Sequence, residues 1–122
     1  MKRLLFLLLF VSAHAHAQPK PVTDFPSGAT ALSAEALKAK FTGASYAFTG
    51  ANGGEITLQF RDSDAVIGSP RGSDTGPWTI EGSAICFKLT KFPSGCNQVR
   101  LLGNDLYWER ASNGEVVKLY KN

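Results

Sequence analysis

Few side chains in this chain are of a type and spacing that could do chemistry, and the first pair removes itself. Cys86 and Cys96 are the two cysteines among 122 residues. Their spacing is not that of a CxxC redox pair, and in an exported chain a disulfide is the expected state. Both histidines, His14 and His16, fall within the first 17 residues. Residues 1–17 read as an export signal. Lys2 and Arg3 are followed by the unbroken apolar run Leu4 to Val11 and by Ala15-His16-Ala17. Cutting is expected before Gln18, with Ala13-His14-Ala15 as a second match to the small-x-small rule. Cut before Gln18, the chain holds no imidazole. That excludes Ser-His-Asp and Cys-His sites and most catalytic zinc sites. A carboxylate-only or Ser-Lys site stays open in principle, but no spaced carboxylate constellation is seen. The expectation is a protein that is not an enzyme, with no metal and no cofactor.

The remaining clusters are of a binding kind. Asp62-Ser63-Asp64 begins like a calcium loop but lacks the further oxygens and the terminal Glu, and reads as a turn. Arg71 and Asp74 sit among glycines that could offer backbone donors to an anion, although a solvated loop explains them as well. Lys88, Lys91, Phe92 and Arg100 gather near the cysteines. Phe92, expected at a loop tip, is the first candidate for touching a partner together with Lys91 beside it, and Arg71 is the second. Trp78 and Trp108 could line a sugar or lipid site, but their place on inward faces makes them core.

The elements that must carry these residues are strands. Gly82-Ser83 as a two-residue turn sets Ile80 opposite Ile85 and Trp78 opposite Phe87. Gly103-Asn104 does the same for Leu101 with Leu106 and Val99 with Trp108. Asn113-Gly114 is expected to set Trp108 opposite Leu119, Glu109 opposite Lys118 and Tyr107 opposite Tyr120. All three turns give one inward set, because strand side chains alternate with period 2. Two pairings across the cysteines are open: Cys86 facing Cys96 leaves a long loop and a shorter strand, and Phe87 facing Val99 keeps the strands but offsets the cysteines. Earlier, Tyr46 and Phe48 alternate, then Ile56, Leu58 and Phe60, and Ser69 to Thr75 reads as a longer loop. Ser33 to Lys40 is the one helix candidate, capped by Ser33 and stopped by Gly43. Residues 18–31, with Pro19, Pro21, Pro26 and Gly28, read as a flexible arm.

The expected fold is therefore all-β: an antiparallel meander of about eight strands, a lipocalin-like barrel or a sandwich, after one short helix and the arm. Residues 32–122 form a single domain. Trp78, Phe87, Trp108, Phe60 and Phe48 are large enough to fill such a barrel. Formal charge is +3; without Lys2 and Arg3, 11 basic residues face 10 acidic ones, leaving +1. A basic face for nucleic acid is not supported, and the apolar run is too short for a membrane span.

The pattern Leu32-Ser33-Ala34-Glu35-Ala36-Leu37, Phe41-Thr42-Gly43, Gly76-x-Trp78-x-Ile80-x-Gly82-x-x-x-Cys86, Cys96-x-x-Val99 and Gly103-Asn104-x-Leu106-Tyr107 resembles a family of small exported bacterial proteins catalogued only as a domain of unknown function. The resemblance spans about residues 32–120 and implies export and bacterial origin. It carries no catalytic residue. Periplasmic inhibitors of proteases and of lysozyme are similar only in size and β-architecture. The expected function is a periplasmic or secreted binding module for another protein or an envelope component. The alternatives are a lipocalin-like carrier of a small apolar ligand between Trp78 and Trp108, or a hydrolase inhibitor.

Overall fold

The structure is a computed structural model and describes residues 20–122. The expected export signal lies outside the described residues. In chain order the elements are β1 (Thr30–Ala31), α1 (Ala34–Phe41), β2 (Ser45–Thr49), β3 (Glu55–Phe60), β4 (Asp64–Ser69), β5 (Gly72–Glu81), β6 (Ala84–Phe87), β7 (Gly95–Leu102), β8 (Asp105–Glu109), β9 (Val116–Lys118) and β10 (Tyr120–Lys121).

Neighbouring strands pair antiparallel from β2 through β9, and β10 returns to β2. Only Leu119 separates β9 from β10, so the two are halves of one bent strand that joins β8 on one side and β2 on the other. The sheet is thus a nearly closed barrel. With the last strand counted once, eight strands make the ring, which leaves almost no free edge.

The Gly82 and Gly103 turns place both glycines at positive φ, 60° and 61°. Their registers follow as expected: Trp78 pairs with Phe87 and Ile80 with Ile85, and Val99 pairs with Trp108 and Leu101 with Leu106. The third turn differs. Arg110 N–H donates to the Glu115 carbonyl and Gly114 N–H to the Arg110 carbonyl, both at 2.8 Å. These bonds close a four-residue loop over 111–114 in place of a two-residue turn. Trp108 then pairs with Val117 and Tyr107 with Lys118, and Lys118 turns to Asp105 at 3.4 Å. A shift of two residues preserves side-chain parity, so Leu119 still points inward and is buried.

The expected loop from Ser69 to Thr75 is shorter. Ser69 pairs with Gly72 across Pro70-Arg71, and β5 runs on for ten residues. The Ser69 hydroxyl accepts the Arg71 N–H at 3.1 Å, which stabilises the tight turn. Cys86 faces Cys96 directly, and the disulfide joins them. The arm's last two residues belong to the sheet, where Thr30 and Ala31 pair with Leu101 and Arg100 of β7. Upstream, the Val22 carbonyl accepts Val116 N–H at 2.7 Å, and Phe25 lies under the Arg100 guanidinium, 4.4 Å from it. Residues 22–31 are tied to the outside of the barrel at these points.

Candidate functional site

Following the strands around the ring sorts the connections between the two ends of the barrel. Turns 61–63, 82–83 and 103–104 lie at one end with α1. That end is closed. Ser33 accepts Ala36 N–H at 3.1 Å and starts the helix, whose Leu37 and Phe41 are fully buried. The Phe41 ring centroid is 4.9 Å from that of Tyr46, 5.1 Å from Phe60 and 6.2 Å from Trp108. Tyr46 donates its hydroxyl to the Lys40 carbonyl at 2.7 Å, and burial raises its pKa.

At the other end lie loops 50–54, 70–71, 88–94 and 110–115, and the barrel is open. A cavity of about 530 Å³ enters between them. Its lining includes Phe48, Ile56, Leu58 and Ile67, together with Phe87 and Trp108, whose rings lie 5.8 Å apart. Asn52, Arg71, Phe92 and Ser112 stand around the mouth. Phe48, Phe60, Trp78, Phe87 and Trp108, the side chains expected to fill the barrel, are all buried, and the cavity opens beside them at the mouth. Trp78 packs against Phe60, centroids 5.1 Å apart, and donates its indole N–H to the Arg61 carbonyl of the closed-end turn. Of the two tryptophans, Trp108 lines the cavity and Trp78 does not.

The mouth is held by polar side chains. Among the described residues three polar or charged side chains are buried, Asp74, Asn97 and Glu115, and each straps a mouth loop. Asp74 accepts the N–H groups of Thr90, Lys91 and Phe92 at 3.0, 2.7 and 3.1 Å, and also that of Thr75 at 2.9 Å. Lys91 N–H leads these donors in holding the Asp74 carboxyl down at about 2, while burial works the other way. Asn97 donates to the Ile85 carbonyl and accepts Ala111 N–H at 2.9 Å. Glu115 accepts Ala51 N–H at 2.8 Å on one oxygen and Arg110 at 3.0 Å on the other. The Arg110 guanidinium also lies 5.3 Å from the Phe48 ring centre, a cation over an aromatic face. These groups keep each loop's backbone satisfied without filling the space between the loops.

Loop 88–94 is drawn inward far enough to need a glycine beneath it. A Cβ on Gly76 would meet the Lys88 carbonyl oxygen at 2.1 Å. The same inward pull decides the fate of Phe92. Expected as an exposed loop tip, it is half-buried, packs against the core and lines the cavity. Lys91 is exposed beside it and is not a lining residue. Arg71 is exposed on the Pro70-Arg71 turn and does line the cavity. Two of the three candidate partner-binding residues thus meet at one opening. Asp74, grouped with Arg71 in sequence as part of a solvated loop, is buried, and its oxygens are occupied by backbone donors.

The disulfide is off this site, on the outward face of β6 and β7. Glu81 lies 3.5 and 3.3 Å from its two sulfurs, which have no proton to donate. Oxidised sulfurs are not thiolate ligands, so this trio is not a metal centre. Asp62-Ser63 is a turn closed by Arg61 N–H to the Asp64 carbonyl, and Arg61 and Asp64 pair through their side chains at 2.6 and 2.8 Å. Among the described residues no helix is long and apolar enough to cross a membrane. Comparison with family models, with curated proteins and with solved structures yields no match to this chain.

Proposed function

We propose that this is an exported, non-catalytic binding module that holds a small apolar molecule in the mouth of its barrel. One observation carries the reading: a cavity of about 530 Å³ lined by apolar side chains such as Ile56, Ile67, Phe87 and Trp108 beside polar ones, open at one end of a barrel closed at the other. Its volume falls within the range of about 300–1,000 Å³ in which small ligands are usually held. Loops on a rigid scaffold around an apolar hollow are a common place for recognition. The alternative of a protein-binding loop led by Phe92 loses support, because that ring faces the cavity and the core. Export to the periplasm or beyond rests on the signal pattern of residues 1–17, on the disulfide and on the resemblance in the Trp78 and cysteine pattern.

The test is calorimetric titration of the protein with decanol, with tryptophan emission followed in parallel. Binding with a shift in emission is expected, since Trp108 lines the cavity. Ile56→Trp, which places an indole in the cavity, should abolish binding and leave the fold intact by circular dichroism. Absence of binding to the wild type, or undiminished binding to Ile56→Trp, would overturn the reading.

A further inference from the structure

Resting on that cavity reading, we infer that the ligand is an amphiphile whose apolar body ends in a single oxyanion, with Arg71 as the residue that selects the charged end. Among the described residues Arg71 and Arg110 are the charged ones that line the cavity, and no carboxylate among them lines it. Strand order places their loops on opposite sides of the mouth, with loops 50–54 and 88–94 between them.

The two arginines are not equivalent. Arg110 is spent on the structure: Glu115 accepts from it at 3.0 Å, and the pair is mostly withdrawn from solvent, with side chains 23% and 6% exposed. The second Glu115 oxygen is taken by Ala51 N–H. Arg71 makes no ion pair among the described residues. Its backbone N–H is held by Ser69, so the residue is fixed on a tight turn while its guanidinium keeps all of its donors.

Nearby acids do not compensate. Both Asp74 oxygens accept hydrogen bonds from loop 88–94 or Thr75. Glu55 and Glu109 alternate with the inward residues Ile56 and Trp108 and so face the other side of the sheet. The cavity therefore offers an apolar interior to a chain or ring and one uncommitted planar cation at its entrance. Guanidinium is the side chain that binds carboxylate and phosphate through paired N–H groups. A cationic head would meet Arg71 directly. A neutral one would leave its charge unused.

Calorimetry on the purified protein with four probes of one chain length tests this: decanoate, decyl phosphate, decanol and decyltrimethylammonium. Expected is tighter binding of an oxyanion than of decanol, by about fivefold, the size of one exposed ion pair. The cation should bind no better than decanol. Arg71→Gln should bring the oxyanion down to the level at which the same variant binds decanol, and Arg71→Lys should keep part of the preference. Whichever of decanoate and decyl phosphate binds more tightly names the head group, and either supports the inference. Equal affinity for all four probes overturns it while the cavity reading stands. An oxyanion preference that persists in Arg71→Gln overturns the assignment to Arg71. Failure of every probe to bind overturns the cavity reading itself.

Discussion

The two ends of this barrel are built by opposite means. At the closed end, fully buried Leu37 and Phe41 fill the space, and the turns are tight. At the open end, three buried polar side chains, Asp74, Asn97 and Glu115, stand where apolar ones could have packed. Apolar burial is non-directional and tends to eliminate voids, whereas a hydrogen bond fixes a distance and an angle. Loops tied by carboxylates and an amide can be held apart around a hollow in a way that leucines would not hold them. The stability of the domain thus lies largely at one end and the shape of its site at the other.

The largest effect that separates the ends is expected at Phe41. Truncation to alanine removes a ring that touches Tyr46, Phe60 and Trp108. Denaturant unfolding should show a loss of about 3–5 kcal/mol, as for other buried aromatics. A loss of less than half of that would mean that the helix is a lid rather than part of the core. Replacing both Cys86 and Cys96 by serine comes next. The bridge closes a ten-residue separation that contains loop 88–94, and its removal should cost about 2–3 kcal/mol in the chain-entropy account. Amide exchange should quicken in that loop, with the α1 amides unchanged relative to global opening. Equal acceleration at both ends would break the division.

The same division explains what could be read from the sequence. The registers at Gly82 and Gly103 were legible because a two-residue turn with positive φ leaves little choice of pairing. The Asn113-Gly114 signal pointed to the right connection but the wrong length. Asn113 caps Glu115 N–H, and Glu115 must enter the barrel end to reach Ala51, a contact 64 residues away in the chain. The Cys86 to Cys96 pairing was undecidable for a like reason. Loop 88–94 is tolerated because Asp74 satisfies its amides, and Asp74 lies well outside the window in which a hairpin is read. Side-chain size was enough to identify the buried aromatics, but not the cavity at the mouth, which depends on how loops distant in sequence are tied. Whether Trp78 and Trp108 share a layer depends on strand stagger, which period-2 alternation does not encode.

A subtler contrast should appear with acid. The Asp74 carboxyl is held at about 2, below its ordinary 3.8. A depressed carboxyl contributes stability that is fully present above pH 3.8 and lost as pH falls from 3.8 towards 2. Stability of the wild type should therefore decline across that window, with exchange in loop 88–94 rising first. In Asp74→Asn this part of the pH dependence should vanish, from a lower plateau. An unchanged acid profile in the variant would show that other carboxylates carry it.

The smallest expected effect lies next door and sharpens the point most. Lys91 was the charged candidate of its loop, but its side chain is exposed and away from the cavity lining, and its N–H is the shortest donor to Asp74, at 2.7 Å. Side chain and backbone can therefore be tested apart. Lys91→Ala keeps the N–H and should change stability by no more than about 0.5 kcal/mol, as exposed substitutions do. Decanol affinity should be unchanged. Lys91→Pro removes the N–H while leaving Asp74 in place. It should loosen loop 88–94 in amide exchange, raise the Asp74 pKa towards its ordinary value and weaken decanol binding, because Phe92 follows it in the chain and lines the mouth. A large effect of Lys91→Ala would return the lysine charge to the site. Silence of both variants would mean that the Thr90 and Phe92 amides suffice to hold the loop. Only a silent alanine beside a damaging proline fits a mouth shaped by backbone donors around a buried carboxylate.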